Sequence, residues 1–214
     1  MVALCLTFLI AVGGPRAVGP IPVAVFASAD AGDSLVGRIC AEADAIWKPA
    51  GIAFEWRRVS VKDETDAWVG VTIDDLRAGH EPDRALGWIT FTADGPGRSI
   101  HLSRASAERL LAGVPELNHG TQALHETLVG RALGRALAHE LGHYLLQSKS
   151  HTPRGLMRAV WTAEESFRAW RGGFELTPEQ RATAAHELQM KSACAESAQE
   201  CRRVDQAFTG YPQF

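Results

Sequence analysis

One stretch, Thr121 to about Gln147, constrains this chain more than any other. It reads as a single long helix, and towards its end stands Ala138-His139-Glu140-Leu141-Gly142-His143. Residues four apart on a helix share a face, with Cβ atoms roughly 5–6 Å apart. Two imidazoles so placed can converge on one metal ion, because Zn–N bonds of about 2.0–2.1 Å are reachable without distorting the helix. Glu140 is offset around the helix. There it faces a water in the ion's open position and does not join the primary ligands. The small Gly142 leaves room between the two rings.

A catalytic zinc site generally takes three protein ligands and keeps one position open. Three residues downstream can supply the third. His151 follows in the polar stretch Gln147-Ser148-Lys149-Ser150-His151-Thr152-Pro153, and Glu164 and Glu165 lie on the next predicted helix. His151 makes a three-His site and is favoured, whereas either Glu makes a two-His, one-carboxylate site. Pro153 and Gly155 predict a tight return of the chain after His151, bringing Met157 back beneath the metal. The remaining histidines are not favoured as ligands. His101 alternates with Ile100 and Leu102 on a strand, and His125 lies several turns upstream on the long helix. His186 lies on a solvated face, and His80 and His119 fall in loops.

The chain ahead of the long helix reads as a sheet. Ile21 to Ser28 forms a strand, and Asp33 or Ser34 caps a helix with apolar positions at Leu35, Val36, Ile39, Cys40, Ala43, Ile46 and Trp47. Pro49 and Gly51 end that helix. Strands follow at Ile52 to Trp56, Trp68 to Ile73, Leu86 to Thr92 and Ser99 to Leu102. A strand, crossover helix and strand argue for a parallel pair. Asp94-Gly95-Pro96-Gly97 is the strongest turn signal, and a shorter helix is predicted near Ser103 to Leu111. Beyond the long helix, Thr162 with Glu165, and Thr177 with Pro178 and Gln180, match capping boxes. The order is a mixed sheet first and a mainly helical part second, with the suspected site at their junction.

With 214 residues the chain is long enough for one domain with a substantial core. A formal charge of −3 and scattered Lys and Arg give no electrostatic reason to expect nucleic acid. The expected partner is a peptide or protein substrate. No segment is apolar enough to span a bilayer. Residues 1–19 read as a signal peptide or its remnant, because Met1 to Val12 is almost wholly apolar and Ala11-Val12-Gly13 offers a cleavage site, although no basic residue precedes Arg16. Secretion or export to a periplasm is therefore expected, with a single domain over 20–214 divided into 20–150 and 151–214. No two of the four cysteines form a C-x-x-C pair, so nitrogen and oxygen must hold the metal. Cys40 reads as a buried thiol, and Cys194 and Cys201 are close enough in sequence to pair in an oxidising compartment.

His139-Glu140-x-x-His143, a further His at 151 and Gly155-Leu156-Met157 together resemble the zinc signature of the metzincin metallopeptidases, in particular matrixin-like members and secreted bacterial relatives. The resemblance implies an α+β, zincin-like fold. In it a mixed, mostly parallel sheet with an antiparallel edge strand packs on the active-site helix and a mainly helical C-terminal part follows. It also implies one catalytic Zn2+ held by His139, His143 and His151, Glu140 as general base, and Met157 in a Met-turn below the imidazoles. Leu86 to Phe91 is similar to the edge strand that aligns an extended peptide, with Trp88 and Phe91 as candidate substrate contacts. In this chain Leu146 and Lys149 stand where the family pattern has Gly and His. His151 thus arrives two residues later, which asks for a longer turn.

Overall fold

The computed structural model describes residues 19–28, 31–60, 68–75, 85–117 and 119–209, with the backbone alone at 196 and from 198 onward. In chain order the elements are β1 (Ile21–Ala27), α1 (Asp33–Trp47), β2 (Phe54–Arg58), β3 (Val69–Asp74), β4 (Gly87–Thr92), β5 (Gly95–Ser103), α2 (Arg104–Ala112), α3 (Gln122–Leu146), α4 (Ala163–Phe167) and α5 (Pro178–Thr209). The five strands form one sheet in the order β2-β1-β3-β5-β4. β1 runs parallel to β2 and β3, and β3 parallel to β5, while β4 lies antiparallel on the edge. This is the α+β arrangement expected from the sequence, a mixed, mostly parallel sheet with an antiparallel edge strand followed by a mainly helical part.

The strand sequences explain the order. Val23, Ala24 and Val25 of β1 are all buried, the near-continuous apolar run of a strand covered on both faces. β3 alternates strictly between buried and half-buried positions. The Asp94–Gly97 turn signal is real but shorter than predicted. Gly95, Pro96 and Gly97 already belong to β5, which runs longer than the expected Ser99–Leu102. The pairing of β4 with β5 shifts register between Ile89 and Phe91.

α3 is the centre of the molecule. From Leu128 to Leu145 every residue except Arg131 is buried, as a helix packed on all sides must be. Its N-terminus is capped by Thr121, whose hydroxyl accepts from the Leu124 N–H at 3.3 Å. α1 crosses it at very short range. A Cβ on Gly134 would lie 2.5 Å from Glu42 Cβ and 2.7 Å from the Ile39 carbonyl, so only glycine permits this approach.

α1 starts differently from its prediction. Gly32 is its N-cap, and no side chain caps it. Asp33 is the first helical residue, and its carboxylate is paired with Arg58 on β2, still favourably placed in the first turn. Both predicted capping boxes form. Thr162 and Glu165 bond reciprocally across the start of α4, and Thr177 and Gln180 do the same at α5.

Cys40 is a buried free thiol, pushed up to about 12 by burial. Cys194 is exposed on α5. That helix is continuous past 201, and positions seven apart on it are separated by about 10.5 Å. This exceeds the reach of a disulfide, so the suggested pairing of Cys194 with Cys201 is not made on this backbone. The signal-peptide reading of residues 1–19, Cys5 included, and the loop around His80 lie essentially outside the described residues. No helix among those residues is long and apolar enough to cross a membrane.

Candidate metal centre

The last turns of α3 and the loop after it bring together His139, His143 and His151. One nitrogen from each lies within 4.8 Å of the others, the cluster of potential metal-ligating side chains found among the described residues. His139 and His151 stack nearly parallel at 5.2 Å between ring centroids, and His143 stands edge-on to both. His139 and His143 are buried, whereas His151 is exposed.

Hydrogen bonds fix which nitrogen of each buried ring is available. His139 Nδ1 lies 2.8 Å from the Leu156 carbonyl, and His143 Nδ1 lies 2.7 Å from the Ser148 carbonyl. A carbonyl can only accept, so both Nδ1 atoms carry the proton and both Nε2 atoms present lone pairs. Those two Nε2 atoms face each other at 3.0 Å. Two neutral rings in these tautomers cannot hydrogen-bond there. A cation between them resolves the contact, and two nitrogens about 2.0–2.1 Å from a tetrahedral ion lie at close to this separation.

Charge points the same way. Burial pushes His139 down to about 4; the Leu156 carbonyl opposes the shift and the neighbouring imidazoles add to it. His143 is lowered as well, again mainly by burial. Near neutral pH both rings are unprotonated, the form a metal needs. The donor set therefore fits a borderline cation such as zinc.

The turn that carries His151 solves its extra length locally. Gln147 adopts a left-handed conformation, φ 50°, and stops the helix. Ser148 then offers its carbonyl to His143, and its hydroxyl accepts from the Ser150 N–H at 3.1 Å. After His151 the chain doubles back. The Thr152 N–H donates to the Met157 carbonyl at 2.8 Å, and the Leu156 N–H to the Glu175 carbonyl at 3.0 Å. Met157 is buried, and its sulfur would lie 2.3 Å from a Cβ on Gly142. The room left by Gly142 between the two histidines is thus filled from below by Met157.

Glu140 is buried on α3 beside His139. The carboxylate alternatives stand apart from the three rings. Glu165 accepts from the Thr162 N–H at 2.8 Å and from Arg158 at 2.9 Å, and Glu164 is exposed. Neither joins the imidazole cluster.

Two aromatic contacts complete the surroundings. Phe91 of β4 meets the edge of His143 at 5.8 Å, which brings the sheet edge against the centre, while Trp88 stacks on His101 at 5.1 Å. Trp161 stands edge-on to His139 at 5.2 Å and leans on Phe174 at 5.0 Å. Sequence reasoning missed Trp161, although an aromatic four residues beyond Met157 in a loop was a usable signal. It had no means of finding the Leu156 and Ser148 carbonyls, because backbone acceptors leave no trace in residue identity.

Fold and centre together place a buried helix, with its imidazoles, beside the antiparallel edge of a sheet. Among solved structures, the chain is similar to archaemetzincin from Methanopyrus kandleri, with a TM-score of 0.53 and 16% identity over 82% of this chain and 98% of that one. No family model matches the chain, and no curated protein matches it in sequence.

Proposed function

We propose that this chain is a zinc-dependent peptide hydrolase, with one zinc held by His139, His143 and His151 and with Glu140 as general base. The observation that carries the reading is the pair of buried, neutral imidazoles whose Nε2 lone pairs converge beside a third, exposed ring. Zinc in such a site supplies Lewis acidity, polarising a scissile carbonyl and making water a usable nucleophile near neutral pH. Leu156 and Ser148 hold the two buried rings in the liganding tautomer. Glu140 takes the proton of the attacking water and passes it to the leaving amine. The outer edge of β4, the last strand of the sheet among the described residues, aligns an extended peptide by strand addition, and the Phe91 contact with His143 sets that edge beside the reacting bond. Met157 supports the rings from below. Export from the cytoplasm belongs to the same proposal and rests on the apolar N-terminal run.

The test is zinc content together with hydrolysis of an unstructured protein substrate, in the wild type, His151→Ala and Glu140→Gln. The expected result is about one zinc per chain in the wild type and its loss from His151→Ala. Glu140→Gln should retain zinc while hydrolysis falls by about 10²–10⁴-fold. Zinc without hydrolysis in the wild type would leave a non-catalytic zinc-binding protein. No zinc in the wild type would sink the reading altogether.

A further inference from the structure

A buried arginine one helical turn before the first histidine has no part in the chemistry proposed above. Arg135 is completely buried on α3. Its Nε donates to Glu42 at 3.0 Å, and Nη2 donates to the Arg168 and Trp170 carbonyls at 2.8 and 3.0 Å. Nη1 donates to the Glu165 carbonyl. Its guanidinium also lies 4.4 Å over the Phe174 ring. Arg131, one turn earlier, donates to the Phe167 carbonyl. The carbonyls at the C-terminal end of α4 are therefore satisfied largely by arginines of α3. α4 has only five residues and cannot hold its own position without such ties.

That tied segment returns to His139 by two routes. Phe174 packs on Trp161, and Trp161 packs edge-on against His139. The Glu175 carbonyl accepts from the Leu156 N–H, and the Leu156 carbonyl accepts from His139 Nδ1. Arg135 and His139 lie four residues apart, so the helix already fixes the distance between their backbones. What the helix leaves free is rotation of the imidazole, and both routes bear on that rotation.

We infer that Arg135 is a positioning residue of the metal centre, fixing the orientation of the His139 ring through Phe174, Trp161 and the Glu175–Leu156 carbonyl relay. Outer residues that hold a ligand's ring affect metal affinity without touching the ion. Lysine at 135 would keep the charge and the ion pair with Glu42. It could not fork to three carbonyls or spread over the Phe174 ring as the guanidinium does.

The inference rests on the zinc reading, and the experiment separates the two. Zinc affinity is measured by chelator competition, and the visible spectrum of the cobalt-loaded protein is recorded, for the wild type, Arg135→Lys, Phe174→Leu and Leu111→Ala. Leu111, on α2, is buried in the core and belongs to neither of the two routes that join Arg135 to His139. Arg135→Lys should bind zinc about tenfold more weakly and shift the cobalt bands. Phe174→Leu breaks the same route one link later with the arginine's ion pair intact. It should move both readouts in the same direction, and it decides the matter if Arg135→Lys does not fold. Leu111→Ala should be less stable with unchanged affinity and spectrum. Wild-type affinity and spectrum in the folded Arg135 or Phe174 variant would overturn the inference, as would equal losses in Leu111→Ala. A wild type that binds no zinc would remove the reading beneath it as well.

Discussion

One turn apart on α3 lie two buried polar groups built in opposite ways. Around Arg135 every guanidinium nitrogen has a partner inside the protein, and Glu42, itself bonded to Arg171 at 2.7 Å, balances the charge. Around His139 and His143 the outer nitrogens are satisfied by carbonyls, while the inner ones direct their lone pairs towards each other at 3.0 Å. Burial opposes the charge on Arg135, and Glu42 offsets this. The same force keeps His139 neutral. The difference teaches how to separate structure from function in a buried polar set. A set closed upon itself fixes the positions of the groups around it, whereas a set with lone pairs directed at a shared point has the donors that a cation needs.

The closed set should be the more costly to open. Glu42→Ala leaves Arg135 buried without its carboxylate. Removing one partner of a buried ion pair typically costs about 3–5 kcal/mol. Arg171 is about half exposed and can return to water, which favours the lower end of that range. The loss should appear as a lower urea midpoint with an unchanged slope. Arg135 keeps its three carbonyl bonds in this variant, so zinc affinity per folded chain should stay within a few-fold of wild type. A large loss of affinity with little loss of stability would break the proposed division of labour.

The open set should respond to cation and to protons. Zinc at a hundredfold excess over its dissociation constant should raise wild-type stability by about 2.7 kcal/mol, and His139→Ala should gain little. Without metal, the sign of the acid response follows from the lowered His139. The folded chain keeps this ring neutral down to about 4, whereas the unfolded chain takes up a proton below about 6.5. Its contribution is therefore intact above about 6.5 and is lost as pH falls towards 4, by up to about 1.4 kcal/mol per pH unit. Urea midpoints of the metal-free protein between pH 7.5 and 5 check this. A wild-type profile no steeper than that of His139→Gln would contradict the burial argument.

The parts of this arrangement legible in the sequence are those written in periodicity and in side-chain identity. The i, i+4 spacing of His139 and His143, the capping pair Thr162 and Glu165, and the alternation along β3 each announce a local geometry. The parallel order was accessible because α1 is long enough to carry the chain across from β1 to β2. The illegible parts depend on distant backbone. Nothing in the sequence around Leu156 says that its carbonyl will meet His139, or that Gln147 will take a left-handed conformation more usual for glycine. The Arg135–Glu42 pair spans 93 positions, and the close approach at Gly134 that permits it exists only once α1 and α3 have packed.

Glu165 gives the finest test of the contrast, since the sequence offered it as a ligand and its contacts assign it to the closed, structural kind. Its carboxylate accepts from the Thr162 N–H and hydroxyl at 2.8 and 3.0 Å and from Arg158 at 2.9 Å. The bond from the Thr162 backbone, followed by that from Arg158, holds it at about 2, well below the ordinary 4.5. For a lowered carboxylate the contribution is complete above about 4.5 and fades as pH falls through about 2. Glu165→Gln keeps an acceptor at the helix start but loses the charge, so it should cost about 1 kcal/mol at neutral pH. The gap between the two urea midpoints should then narrow steadily from pH 4.5 towards 2. Zinc stoichiometry should not change in the variant, because its three imidazoles are untouched. Loss of zinc from Glu165→Gln, with the pH-dependent gap absent, would move this residue from the cap to the metal and dissolve the distinction between the two groups.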